Sequence, residues 1–198
     1  MEAVLMSIKP RWCELIASGK KTVEVRKTKP KLDVPFKVYI YETKDKRYEN
    51  IGVCGWKEDG TKYIFENHCG KVIGEFVCED ITDIHYYEEP CDNGFGDYSV
   101  GMPQPFCDYF AESTCLGYEE LHKYLKGKYG YGWHITDLVI YDKPRELSDF
   151  KRVCDGNCQE CKYAIWQTRF HYNDPIIVDC KPITRPPQSW SYVWEDTK

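Results

Sequence analysis

The chain carries little that marks a membrane or exported protein. Among its 198 residues no apolar run approaches the roughly 20 residues that cross a bilayer, and the first residues lack the apolar core of a secretory signal. These absences lead to the expectation of a soluble, cytoplasmic protein with no membrane partner. No Gly-rich phosphate loop, metalloprotease helix motif or nucleophile elbow occurs in the sequence, so none of those motifs points to its chemistry. There is no internal repeat and no low-complexity tract. The five histidines show no triad-like spacing. His134, after Trp133 at a strand start, reads as a general base or as a structural residue.

What is present is an ordinary globular composition, 42% hydrophobic and 30% charged, in a length that suits one domain with insertions. Aromatic residues reach 15%, with 16 Tyr, which suits either flat binding surfaces or a Tyr-rich core with satisfied hydroxyls. Eleven cysteines in a chain without an export signal are read as reduced thiols rather than a disulfide framework. The net charge of −5 opposes indiscriminate binding to polyanions, but basic residues crowd the first fifty positions. Lys9, Arg11, Lys20, Lys21, Arg26, Lys27, Lys29, Lys31 and Lys37 all fall there. They form either a solvated basic face or a local anion-binding surface on an acidic body.

The octapeptide Gly19-Lys20-Lys21-Thr22-Val23-Glu24-Val25-Arg26 is the most informative stretch. Read as a strand, it puts Thr22, Glu24 and Arg26 on one face and Val23 and Val25 on the other. A carboxylate and a guanidinium so placed can pair as a buried structural bridge. They can also grip a ligand that carries both donors and acceptors, as a nucleobase does.

Around it, residues 4–8 read as a short buried strand. Pro10 fits a helix start, Trp12, Leu15 and Ile16 an apolar stripe, and Gly19 a helix stop. Residues 36–41 alternate, which predicts one core face and one polar-aromatic face bearing Tyr39 and Tyr41. Residues 51–56 and 62–65 flank Asp59-Gly60 as a hairpin, and 71–78 is a stronger strand. Residues 90–106 read as a long surface loop, 118–125 as a second amphipathic helix, 133–141 as a strand and 144–150 as one helical turn. Few helices among many short strands predict a small mixed barrel.

Leu5-Met6-Ser7-Ile8-Lys9-Pro10, the short helix and the Gly-x-Lys-x-x-Glu-x-Arg pattern at Gly19, Lys21, Glu24 and Arg26 resemble an ASCH domain of the PUA-like superfamily. Gly74-Glu75-Phe76 and Trp133-His134-Ile135 sit where such domains place further strands. Arg185-Pro186-Pro187-Gln188-Ser189-Trp190 resembles the endings of ASCH-like proteins of bacteria and phages. The resemblance implies an α+β fold: a PUA-like small β-barrel with short flanking helices over residues 1–150, with a hairpin insertion at about 43–70 and a loop insertion at about 90–106. A Cys-rich extension, 151–198, would pack on the same domain.

It also implies binding of RNA or a nucleotide in a cleft lined by Lys21, Glu24 and Arg26, with Ser7 and Lys9 in support and Tyr39, Tyr41 or Trp133 stacking on a base. Some relatives are hydrolases of acylated cytidine with a Lys and a Thr nucleophile. Here Lys21 matches, but Glu24 stands at the Thr position, which removes that nucleophile. A hydrolase of modified nucleosides or of RNA, an amidohydrolase or a ribonuclease, would then use Lys21 and Glu24 as catalytic acid and base, with Glu112 as a further candidate acid.

Finally, Cys154-x3-Cys158-x2-Cys161 with the more distant Cys180 resembles a four-thiolate structural zinc site, against the alternative of loose reduced thiols. A third reading of the whole chain follows, a protein-interaction module with a zinc-stapled tail.

Overall fold

The computed structural model describes residues 2–48, 51–56, 60–90, 98–104, 108–152 and 182–194. The chain runs β1 (Glu2–Ile8), α1 (Pro10–Ala17), β2 (Val23–Arg26), β3 (Phe36–Glu42), β4 (Gly52–Trp56), β5 (Lys62–Glu66), β6 (Val72–Pro90), β7 (Tyr98–Gln104), α2 (Asp108–Thr114), α3 (Tyr118–Leu125), β8 (Gly130–Arg145), a 3-10 turn (Leu147–Asp149), β9 (Lys151–Arg152) and β10 (Trp190–Trp194). It is a sheet-dominated α+β fold with few helices.

One mixed eight-stranded sheet carries the structure, in the order β2-β8-β6-β3-β1-β10-β9 with β7 added beside β6, while β4 and β5 pair separately. Among the described residues only β1 and β3 run parallel. The neighbouring pairs of the large sheet, β1 with β10 and β3 with β6, are antiparallel. The expected closed barrel does not form. The strand path ends at β2 and at β9, and instead of a backbone ladder the Arg26 guanidinium spans from β2 to β1, donating to the Ser7 carbonyl at 2.7 Å. A side chain at the seam leaves room beside it that a ladder would close.

β1 is apolar on both faces because both are covered. Val4, Met6 and Ile8 join a core with Cys13, Ile16, Phe36, Val38, Ile40, Phe76 and Trp133. Ala3 and Leu5 enter a second core with Tyr39, Tyr41, Val72, Phe150 and Val193. For the same reason β3 has no polar-aromatic face. It lies between β1 and β6, and Tyr39 and Tyr41 are buried.

Pro10 opens α1, where its missing N–H has no intrahelical partner to lose. Gly19 follows its C-terminus at φ +77°, a conformation glycine adopts without a Cβ penalty. The buried stripe of α1 is Pro10, Cys13, Ile16 and Ala17. It is rotated from the expected one, so Trp12 and Leu15 are only half-buried.

The Asp59-Gly60 hairpin expectation agrees with β4 and β5, which pair from Gly52 opposite Glu66 to Trp56 opposite Lys62. The strand read at 71–78 continues to Pro90 and pairs with β8, with register shifts from Val72 to Gly74, Glu75 to Val77 and Cys78 to Ile81. Each irregularity bends the strand and adds twist. The expected loop at 90–106 is in part a strand: β7 returns antiparallel to β6, with Glu88 opposite Val100.

A third core, Val23, Val25, Ile84, Phe110, Leu116, Leu121 and Leu125, clamps β2 against α2 and α3. Gly132 lies opposite Val25 in β8. A β-carbon there would stand 2.9 Å from the Val23 Cγ1, so its absence lets β2 and β8 sit close beneath the site.

Candidate functional site

Because Val23 and Val25 are drawn into the third core, strand alternation turns Glu24 and Arg26 to the opposite face. That face lines a cavity of about 1020 Å³, whose walls also include Ser7, Lys9, Trp12, Lys21, Lys27, Lys123, Tyr124, Gln188 and Ser189. The expected grouping of Lys21, Glu24 and Arg26 is therefore present. Thr22 is not part of it. It precedes β2 and is exposed.

Three ionised side chains meet almost out of solvent. Glu24 Oε1 lies 3.0 Å from Arg26 Nη2, and Glu24 Oε2 lies 3.3 Å from Lys21 Nζ. The Lys21 ammonium, 2% exposed, also donates to the Val23 carbonyl at 2.9 Å and to the Thr114 carbonyl at 2.6 Å. Thr114 ends α2, where carbonyls lack intrahelical partners and favour a cation. An ammonium has three protons; two go to these carbonyls, and the Glu24 carboxylate completes its surroundings as an ion pair. Lys21 is thereby a strut that fixes Glu24.

Arg26 has capacity left. Nη2 serves Glu24 and the Ser7 carbonyl, and Nη1 approaches the Ser189 hydroxyl at 3.5 Å. Its Nε is buried and has no hydrogen-bond partner among the described residues. A guanidinium carries five N–H groups, and a buried one without a partner is costly. Glu24 likewise uses one contact per oxygen and keeps further lone pairs. Donor and acceptor stand side by side, both facing the cavity.

Ser7 contributes through its backbone. Its hydroxyl donates to the Pro187 carbonyl at 2.7 Å and its N–H to the Ser189 carbonyl at 2.9 Å. Lys9 is exposed at the cavity edge. With Lys21, Arg26, Lys27 and Lys123 it makes five cations on the wall against the carboxylates of Glu24 and Glu120. The basic excess near the N-terminus thus gathers, in part, at one concave place on an acidic chain.

The expected stacking residues are not on this wall. Tyr39 packs edge-on against Phe150, with ring centroids 4.8 Å apart. Trp133 is fully buried between Phe36 and Trp190. The cavity's aromatic groups are Trp12 and Tyr124. Lys21 Nζ stands 5.1 Å from the Trp12 ring centre and Lys27 Nζ 5.1 Å from that of Tyr124. Burial, the larger influence, raises the Tyr124 hydroxyl above its ordinary pKa, while the Arg26 charge opposes it.

Neither residue stands out in the sequence. Trp12 reads as part of an apolar stripe, and Tyr124 lies beside Leu125, whose side chain is core. Gln188 and Ser189 are more than 160 positions from Arg26, and only the placement of β10 beside β1 brings them near.

Glu112 is exposed and not among the lining residues. His134 Nε2 shares a hydrogen bond of 2.8 Å with the Thr82 hydroxyl, and His134 does not line the cavity either. Cys154, Cys158, Cys161 and Cys180 lie outside the described residues. Among the described residues no cluster of His, Cys, Asp or Glu is arranged to hold a metal, and no helix is long and apolar enough to cross a membrane.

A mixed-sheet α+β domain with a basic, Glu/Arg-lined cleft at an open seam is the class of protein these observations define. The ASCH domain model matches residues 6–131, and the chain belongs to the ASCH domain family, within the PUA-like superfamily. Among solved structures it is similar to ASCH from Zymomonas mobilis, at 16% identity over 98% of this chain and 88% of that one, with a TM-score of 0.49. A Tyr-to-Phe variant of that protein gives 16% identity, 98% and 91% coverage and a TM-score of 0.48. A Ser-to-Ala variant gives 15%, 98%, 89% and 0.49. No curated protein matches the chain.

Proposed function

We propose that the cleft binds a nucleotide or an unpaired RNA base, reading its edge with Glu24 and Arg26. The observation that carries this is the buried Arg26, whose Nε has no partner among the described residues, beside a Glu24 carboxylate in a cavity of about 1020 Å³. A base edge supplies both an acceptor for the guanidinium and a donor for the carboxylate. The half-buried ring of Trp12 or the exposed ring of Tyr124 offers a face for stacking, and Lys9, Lys27 and Lys123 offer charge to a phosphate. The family is one associated with RNA binding, which agrees with the same reading.

Fluorescence anisotropy with short single-stranded RNA and titration with mononucleotides test it. Binding by the wild type is expected, with a loss of at least about tenfold in Arg26→Ala, because a buried charge-assisted contact disappears. A single pocketed nucleotide gives a shallow dependence on salt, whereas several phosphate contacts give a steep one. Wild-type protein that binds neither probe refutes the proposal.

The hydrolytic reading draws on the 3.3 Å contact between Lys21 and Glu24 on the cavity wall. Binding is favoured over it because Lys21 is almost wholly buried and already holds two backbone carbonyls and the Glu24 carboxylate. Turnover of RNA or an acylated cytidine, abolished by Lys21→Ala, would reverse that preference.

A further inference from the structure

The segment just before β10 runs along the cavity, although it lies beyond the residues matched to the family domain. It is held on both sides. The Pro187 carbonyl accepts from the Ser7 hydroxyl at 2.7 Å, and the Ser189 carbonyl accepts from the Ser7 N–H at 2.9 Å. One residue on, the Trp190 Nε1 donates to the Thr28 hydroxyl at 3.0 Å, and β10 then pairs with β1 from Trp190 opposite Met6 to Trp194 opposite Glu2.

Between these anchors Gln188 lines the cavity. It is exposed, and its amide has no hydrogen-bond partner among the described residues. The segment therefore fixes the backbone at Gln188 while the side chain stays available. A contact built on an anchored backbone loses little freedom when a ligand arrives.

We propose that Gln188 is a specificity-determining residue of this cleft, reading the ligand's base edge beside the Glu24–Arg26 pair. This rests on the nucleotide reading above. Glu24 can only accept and Arg26 can only donate, whereas an amide does both. Glu24 and Arg26 admit any edge that combines a donor with an acceptor. The amide orients to distinguish edges that differ in which group comes next. A mismatched edge forgoes the amide contact that a matched edge gains.

The test is calorimetric titration of the full chain with each of the four nucleoside 5′-monophosphates of RNA, in wild type, Gln188→Ala, Gln188→Glu and Arg26→Ala. The expected result is a wild type that prefers one or two bases. Gln188→Ala should retain binding but compress that preference by roughly fivefold, the scale of one lost neutral hydrogen bond at an exposed group. Gln188→Glu, which can no longer donate when ionised, should reorder it. Arg26→Ala should lose binding to all four.

The proposal is overturned by Gln188 variants that keep wild-type affinities and ratios within twofold, or by a wild type indifferent to the base. If Arg26→Ala still abolishes binding in those cases, the nucleotide reading stands without it. A wild type that binds none of the four, and no short single-stranded RNA, overturns both.

Discussion

Replacing Glu24 with Gln probes the centre of the site, because one carboxylate separates two buried cations. Lys21 Nζ and Arg26 Nη2 lie 3.3 and 3.0 Å from its oxygens. At an effective dielectric constant of about 20, each contact represents roughly 5 kcal/mol of gross attraction. Desolvation of the ions and repulsion between Lys21 and Arg26 offset much of this. The net cost of removing one partner of a buried ion pair is about 3–5 kcal/mol. For a chain of this size each kcal/mol moves Tm by about 2–4 °C, so Glu24→Gln should lower Tm by roughly 6–20 °C in thermal unfolding followed by circular dichroism.

The same variant should separate two modes of binding. Its site is one charge more positive, so affinity for inorganic phosphate should rise. Affinity for a nucleoside, which offers a base edge but no phosphate, should fall about tenfold, since the ionised acceptor is gone. A Tm within 2 °C of wild type together with unchanged nucleoside binding would refute the role given to Glu24.

Glu42 makes a second case. Burial, opposed by the His68 N–H it accepts and reinforced by Glu14, raises its carboxyl from the ordinary 4.5 to about 7. The folded chain then holds a proton that the unfolded chain has released. Stability should therefore fall as pH rises from about 4.5 to about 7, by at most about 3 kcal/mol, and level off above that. Urea unfolding across this range should show the slope in wild type and lose it in Glu42→Gln; an equal slope in both contradicts the assignment. Gly132→Ala places a carbon 2.9 Å from the Val23 Cγ1 and should cost about 1–3 kcal/mol in the same assay, whereas a neutral result would mean that β2 yields freely. For Cys154, Cys158, Cys161 and Cys180, native mass spectrometry of protein purified without chelator decides between the two readings of the sequence, with one zinc per chain expected of a four-thiolate site. Metal-free protein would return them to the alternative of reduced thiols.

The local motif was legible in the sequence because strand alternation alone determines which side chains accompany Glu24 and Arg26. The start of α1 at Pro10, the hairpin around Gly60 and the helix at Tyr118–Leu125 were legible for the same local reasons. What failed was whatever depends on neighbours. Tyr39 and Tyr41 alternate with apolar residues as an exposed face would, yet β3 is central and covered on both sides. The apolar signal of β6 fades at Glu79-Asp80, while pairing continues through bulges opposite β8. Barrel closure was expected from strand number, but a guanidinium rather than a ladder spans the seam. The aromatic wall of the cavity and the Gln188 segment arise from packing between distant parts of the chain, which no local pattern encodes.

The central claim is that Arg26 waits for a ligand's acceptor. Nuclear magnetic resonance of the Arg26 Nε–H, assigned by its loss in Arg26→Lys, addresses it directly. Titration with the tightest-binding mononucleotide should shift that resonance saturably, as the guanidinium gains an acceptor. Nucleotide binding that leaves the Arg26 signal in place would contradict the account.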